Sequence, residues 1–171
     1  MRLFYFVNFN MKNLYIIIYF ISIIFAQWEQ LEVPLGGQIR SIYSDEDLVY
    51  AASSGGVLVK NIEENIWSLR NEGLESCDTK SLVKLGDYMF VSTDENVFRS
   101  NNQGLNWEKC GSELEGIYVK NLITINNVIF AATYLKGIYQ STDFGESWTT
   151  INNGFSSNYP YYFETDGANL F

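Results

Sequence analysis

The sequence predicts an all-β fold: a β-propeller of four-stranded antiparallel blades, incomplete, with about three and a half blades present. Three observations predict it. The four tryptophans, Trp28, Trp67, Trp107 and Trp148, lie 39, 40 and 41 residues apart, and a period of that size marks a repeat architecture. Between successive tryptophans run four short segments rich in β-branched and aromatic residues, bounded by Gly, Asn, Asp or Ser, which read as strands and tight turns. The connections are too short for crossover helices, so each unit is a meander of neighbouring antiparallel strands. Composition agrees: 12 Tyr, 12 Phe, 4 Trp, 13 Gly and 2 Pro in 171 residues suit many short strands and turns.

The repeats fall at 27–74, 75–116, 117–155 and, cut short, 156–171. First strands are IRSIYS (39–44), TKSLVKL (79–85) and VKNLITI (119–125). Second strands are LVYAAS (48–53), YMFVST (88–93) and VIFAAT (128–133). They are apolar on both faces, as expected where each blade packs between two others. Third strands are GVLVKN (56–61), NVFRSN (96–101) and GIYQST (137–142). Fourth strands are IWSLRN (66–71), NWEKCG (106–111) and SWTTIN (147–152). QWEQLEVPLG (27–36) reads as a fourth strand without its blade, of the kind that completes a last blade by strand exchange. The last repeat stops midway through its second strand. The expectation is a truncated piece of a longer product; the alternative is a subunit that closes by assembly, because an open arc leaves blade faces bare.

One eight-residue box recurs on the hairpin between third and fourth strands. STDFGESW (141–148) is complete, SNNQGLNW (100–107) has Asn102 where Asp143 stands, and KNIEENIW (60–67) keeps only the tryptophan. Each residue has a turn-building reason. Gly145 and Gly104 supply positive φ. Asp143 and Asn102 accept hydrogen bonds from the N–H groups of the turn. Ser141 and Ser100 tie the strand end. Trp148 and Trp107 open the outgoing strand and are expected to pack over the hairpin and the next blade.

This S-x-D-x-G-x-x-W pattern resembles the Asp-box, or BNR, repeat. That repeat occurs in sialidases, sortilin-like receptors, xyloglucanases and photosystem II stability/assembly factors. The stretch GIYQSTDFGESWTTINNGF (137–155) looks most like exported bacterial repeat proteins of this superfamily. The resemblance covers about residues 27 to 171. It implies that the box is structural, on the face away from the usual ligand sites. It also implies that related chains often end in a secretion-sorting domain. It names no single activity, because one fold serves many.

The N-terminus points to export. LYIIIYFISIIFA (14–26) is an apolar run behind Met11-Lys12-Asn13, shorter than the roughly 20 residues that span a bilayer. Residues 1–26 therefore read as a signal peptide cleaved after Ala26, with Met11 an alternative start and an uncleaved anchor the alternative outcome. Cleavage implies no membrane insertion afterwards and a periplasmic, cell-surface or secreted location in a bacterium. It removes Arg2 and Lys12 and no acid, leaving 9 basic against 20 acidic residues. A chain so acidic is repelled by nucleic acid and anionic lipid. In an oxidising compartment Cys77 and Cys110 are candidates for a disulfide.

There is no histidine, which removes the commonest general base and metal ligand. No residue is assigned a catalytic, cofactor-binding or metal-binding role, and no cofactor is expected. A sialidase-like clamp needs several arginines. Arg40, Arg70 and Arg99 sit at three different repeat positions and form none by symmetry. A xyloglucanase-like site needs two opposed carboxylates, and nothing pairs Asp78, Asp94 and Glu95. Ser44-Asp45-Glu46-Asp47 lacks the alternating spacing of a calcium loop and reads as a solvated turn. Tyr118, Tyr134, Phe155 and Tyr159, on loops and linkers of the opposite face, are able to stack on a sugar or peptide; the alternative is that they seal the core.

One row is less expected. Arg40, Lys80 and Lys120 occupy equivalent positions at the start of the first strand, with Tyr161 at the fourth. First strands line a propeller channel, so the row predicts a partial cationic ring at its mouth; the alternative is stems covering a strand end. Together these features predict an exported, non-enzymatic scaffold binding a protein or glycan. The rivals are a fragment of a sialidase- or xyloglucanase-type glycoside hydrolase and an assembly factor for a membrane protein complex.

Overall fold

The computed structural model describes residues 37–45, 47–64, 66–153 and 165–166. The chain divides into two units, Met1–Glu32 and Val33–Phe171, and the described residues lie in the second. The expected signal peptide, the strand at 27–36, Trp28, Phe155, Tyr159 and Tyr161 fall outside them.

Among the described residues twelve strands form three separate four-stranded sheets, each ordered as the chain runs. Blade 1 holds β1 (Ile39–Ser44), β2 (Leu48–Ser53), β3 (Gly56–Asn61) and β4 (Trp67–Leu69). Blade 2 holds β5 (Leu82–Leu85), β6 (Tyr88–Ser92), β7 (Val97–Ser100) and β8 (Glu108–Lys109). Blade 3 holds β9 (Val119–Ile125), β10 (Val128–Thr133), β11 (Gly137–Ser141) and β12 (Thr149–Thr150). Every pairing is antiparallel. The described residues thus form three blades of a propeller, as the first three repeats predict; the half blade expected at 156–171 lies outside them apart from residues 165–166.

The period-2 alternation of a strand explains the double-sided apolar second strands. Met89 and Val91 of β6 face blade 1, where they meet Tyr50, Ala52, Val57 and Val59. Phe90, the residue between them, faces blade 3, where it joins Leu122, Ile129 and Ala131. Burying such side chains contributes about 1.5–3 kcal/mol each.

First strands of successive blades lie side by side and are stitched by polar side chains. Leu82 N–H donates to Ser41 Oγ at 3.2 Å, and Leu122 N–H to Ser81 Oγ at 3.1 Å. Thr124 Oγ1 donates to Lys84 O at 3.3 Å.

The fourth strands are shorter than the sequence predicts: β4 begins at Trp67, whereas Trp107 and Trp148 turn inward ahead of β8 and β12. Trp107 and Trp148 are buried, and they pack on the preceding blade rather than the next. Trp107 joins the cluster of Tyr50 and Val59, and its Nε1 donates to Arg70 O at 2.9 Å. Trp148 joins the cluster of Leu85, Phe90 and Cys110. The expected contact is thus reversed in direction: each box leans back across the outer edge of the blade already formed. Trp67, in the eroded copy, is only half-buried.

The Cys77–Cys110 bridge is not formed; both are free thiols. Cys110 is buried between the blades, close to Gly145 and packed with Leu85 and Phe90. Cys77 is exposed in the blade 1–2 linker and accepts from Asn71 Nδ2 at 3.3 Å.

Candidate functional site

The box is built as a closed set of hydrogen bonds, and both copies have the same one. Ser141 Oγ accepts from Gly145 N–H at 2.8 Å and donates to Asp143 Oδ1 at 2.7 Å; Asp143 Oδ1 accepts Ser147 N–H at 3.0 Å. In the second blade Ser100, Gly104, Asn102 and Asn106 repeat these bonds at 2.9, 2.7 and 3.0 Å. The Ser147 hydroxyl adds a bond to Asp143 Oδ2 at 2.6 Å. That hydroxyl first, then Ser141 and the Ser147 backbone, pull the Asp143 carboxyl down to about 2. Its acceptors are spent on the turn, which suits a structural role and leaves no poised acid.

The cationic row is brought together. At the start of β1, Ile39 pairs with Ser53 and Ser41 with Ala52, so Arg40 is an extra residue in the ladder. At the start of β9, Val119 pairs with Thr133 and Asn121 with Ala132, so Lys120 is the extra residue. In blade 2, Lys80 N–H donates to Ser92 O while Ser92 N–H donates to Ser81 O, so two residues again oppose one. A bulge therefore falls at all three equivalent points. Bulges re-aim side chains, and they concentrate beside functional sites. Residue type alone gives no signal for them, and sequence reasoning missed them.

These side chains line one cavity of about 380 Å³ with Gln38, Ser81, Tyr118 and Asn121. Arg40 donates to Thr79 O at 2.9 Å and pairs with Asp78, which also pairs with Lys80. Burial works to raise the Asp78 pKa, but the bonds from Lys80 and then Arg40 outweigh it and hold the carboxyl below its ordinary value. Lys80 Nζ stands 5.2 Å from the Tyr118 ring centre. Lys120 Nζ stands 5.9 Å from Tyr118 and 5.1 Å from Tyr134, whose ring centres are 6.1 Å apart. The aromatic faces favour the ammonium groups and hold them at the cavity wall. Asn121 Oδ1 is buried without a hydrogen-bond partner among the described residues. The cavity thus gathers three cations, the Asp78 carboxylate paired with two of them, ring faces and an amide oxygen.

The other singled-out residues are dispersed. Asp94 accepts from Ser76 Oγ at 2.7 Å. Glu95 lies in the next turn position, and its carbonyl accepts Ile117 N–H at 3.1 Å. Arg70 and Arg99 are drawn away from Arg40. Arg70 donates to Gln103 O, and Arg99 to Phe144 O at 2.8 Å while pairing with Glu108 and Glu146. Asp45 pairs with Lys84, and no group of three or more acids or thiols able to hold a metal ion occurs among the described residues.

No protein-family model and no curated protein matches the sequence. Solved structures do. An ancestral GH74 enzyme is 20% identical over 72% of this chain and 19% of its own, with a TM-score of 0.60. YCF48 bound to D1 peptide is 16% identical over 73% of this chain and 43% of its own, with a TM-score of 0.61. The extracellular domain of a putative one component system from B. thetaiotaomicron is 15% identical over 71% and 18%, with a TM-score of 0.59. The chain spans less than half the length of each. At these identities the shared property is the fold: this chain is part of a β-propeller.

Proposed function

We propose that the chain belongs to an exported, non-enzymatic Asp-box propeller that binds a protein or glycan partner by an anionic group of that partner. The site is the pocket between Arg40, Lys80 and Lys120. The observation that carries this reading is the bulge at each of the three equivalent strand starts, which turns the three cations onto one cavity with Tyr118. Solved structures of the same fold include one held with a peptide and one extracellular domain, so partner binding and export are roles this fold serves elsewhere. The apolar run at 14–26 supports export.

GH74 enzymes share the fold, which keeps a glycoside hydrolase as the rival reading. Hydrolysis needs a carboxyl that holds its proton near neutrality opposite a second acid. Asp78 is instead held ionised by Lys80 and Arg40, and it acts here as a counter-ion. An assembly factor for a membrane protein complex would use the same basic pocket and differ only in its partner.

Isothermal titration of the full chain with a uronate oligosaccharide and with a short acidic peptide tests the reading. Lys80→Glu with Lys120→Glu is expected to weaken binding about tenfold or more. Asp78→Asn, which frees Arg40 and Lys80, is expected to tighten it. Unchanged affinity in the double charge reversal would sink the proposal.

A further inference from the structure

The two described blade junctions are built alike but filled differently. In the register of the repeat, Leu48 and Tyr50 of β2 correspond to Tyr88 and Phe90 of β6, and Gln103 corresponds to Phe144 as the fourth box residue. At the blade 2–3 junction the Phe144 ring of the box, 41% exposed, caps the outer side of the junction. It lies 5.8 Å from the Tyr88 ring centre and directly over Gly86, whose added Cβ would meet it at 3.3 Å. At the blade 1–2 junction Gln103 holds the same left-handed backbone, φ 60° against 57° for Phe144, but brings no ring. A cleft of about 780 Å³ is left there, distinct from the cationic pocket.

Its lining has a clear chemistry. Asp45, Asp47 and Asp87 border it with Lys84, and the Lys84 ammonium is paired with Asp45. Asp47 and Asp87 carry no ion pair among the described residues. Tyr50, 2% exposed, also lines the cleft. Its side chain is otherwise enclosed, and its hydroxyl makes no hydrogen bond among the described residues and opens onto the cleft. Burial raises its pKa, so it is neutral and serves as donor or acceptor. The Gln103 amide lines the same cleft. The space is organic-sized, two of its carboxylates make no ion pair among the described residues, the Arg70 charge acts on Tyr50 from nearby, and no group of acids able to hold a metal ion is present among the described residues.

We infer that this cleft is a binding site for a basic side chain, an arginine or lysine, carried by an extended segment of a partner protein. Such a group places its charge between Asp47 and Asp87 and its N–H donors toward the Tyr50 and Gln103 oxygens. Its apolar stem takes the place that the Phe144 ring fills one junction further on.

The probe is a capped Gly-Arg-Gly peptide, fluorescein-labelled, against the same peptide with neutral citrulline for arginine, read by anisotropy on the full chain. The arginine peptide is expected to bind at least about tenfold more tightly. Gln103→Phe, which copies Phe144 into the cleft, is expected to abolish binding. Asp47→Asn and Asp87→Asn should each weaken it about threefold. Lys80→Glu with Lys120→Glu, in the other pocket, should leave it intact, so this proposal and the previous one fail separately. Undiminished binding in both Gln103→Phe and Asp47→Asn/Asp87→Asn overturns the inference. So does equal affinity for the citrulline peptide, or an equal loss on Asp94→Asn/Glu95→Gln, which would mark a bulk charge effect. The asparagine pair preserves side-chain volume, so it remains decisive should Gln103→Phe fail to fold.

Discussion

Asp143→Asn and Asp143→Ala separate what the carboxylate charge does in the box from what its hydrogen bonds do. Asp143 accepts three side-chain-directed bonds, from the Ser141 hydroxyl, the Ser147 N–H and the Ser147 hydroxyl. At about 1 kcal/mol net each, discounted for partial exposure, Asp143→Ala costs about 2 kcal/mol. Asparagine keeps an oxygen for the first two, as Asn102 does in the other copy. It loses the charge and the acceptor for the Ser147 hydroxyl. The carboxyl falls from 3.8 unfolded to about 2 folded. Taken at face value that is roughly 2.4 kcal/mol, and solvent screening brings it to about 1. The sign follows from linkage: a depressed folded pKa gives stability that is fully present above the unfolded value and lost as pH falls toward the folded one. The advantage of the natural protein over Asp143→Asn should therefore be about 1 kcal/mol at pH 6 and shrink between about pH 4 and 2. Urea unfolding followed by tryptophan fluorescence at pH 6, 4 and 3 measures it. A gap between the natural protein and Asp143→Asn that stays constant across these pH values would refute the electrostatic part. An Asp143→Ala variant no less stable than Asp143→Asn would refute the hydrogen-bond part.

Three further outcomes are expected. In the native protein a disulfide-exchange reagent should react quickly with one thiol, Cys77, and with Cys110 only on unfolding; burial pushes the Cys110 pKa up to about 12, and rapid reaction of both thiols would contradict that packing. Gly145→Ala should cost about 2–4 kcal/mol by thermal or urea unfolding. Its φ of +84° strains any side chain, and the new methyl would meet Cys110 Sγ at 3.0 Å and Phe90 at 3.1 Å. Gly116→Ala, at φ +69° with nothing within 4 Å, should cost only the strain, about 1 kcal/mol.

The fold was legible because its signals are local and repeated. Strands β1, β2, β3, β9 and β10 span the same residues as the segments read from IRSIYS, LVYAAS, GVLVKN, VKNLITI and VIFAAT. The fourth strands read too long: Trp67 does open β4, but Trp107 and Trp148 lie ahead of β8 and β12, because a β-rich hexapeptide looks alike whether one edge or two are paired. The direction of tryptophan packing was not legible, since either neighbour supplies an apolar wall and only three-dimensional twist decides. Of the cationic site, the row Arg40, Lys80 and Lys120 was legible from register. The counter-ion Asp78 and the bulges were not. A bulge is one surplus residue in a ladder, and a sequence that gives strand ends to within a residue or two cannot reveal it.

The arginines show how a repeat can keep a function while losing the residue pattern that announces it. Arg70 follows β4 and Arg99 lies within β7, so they fall in different columns of the repeat. Yet each donates to the same backbone atom, the carbonyl of the fourth box residue in the following blade, Gln103 or Phe144. That residue and the glycine after it are both left-handed, with φ of 60° and 81° in one box and 57° and 84° in the other. The turn delivers the carbonyl to the preceding blade, where it needs a donor. A guanidinium on a long stem reaches that point from more than one backbone origin. What recurs is the position of the acceptor, which the box geometry sets; the donor is free to migrate. Arg40, the remaining arginine among the described residues, turns its guanidinium instead to Asp78 and the cationic pocket. Two of the three described arginines are therefore spent on joining blades, and Arg40 alone of them lines that pocket with Lys80 and Lys120.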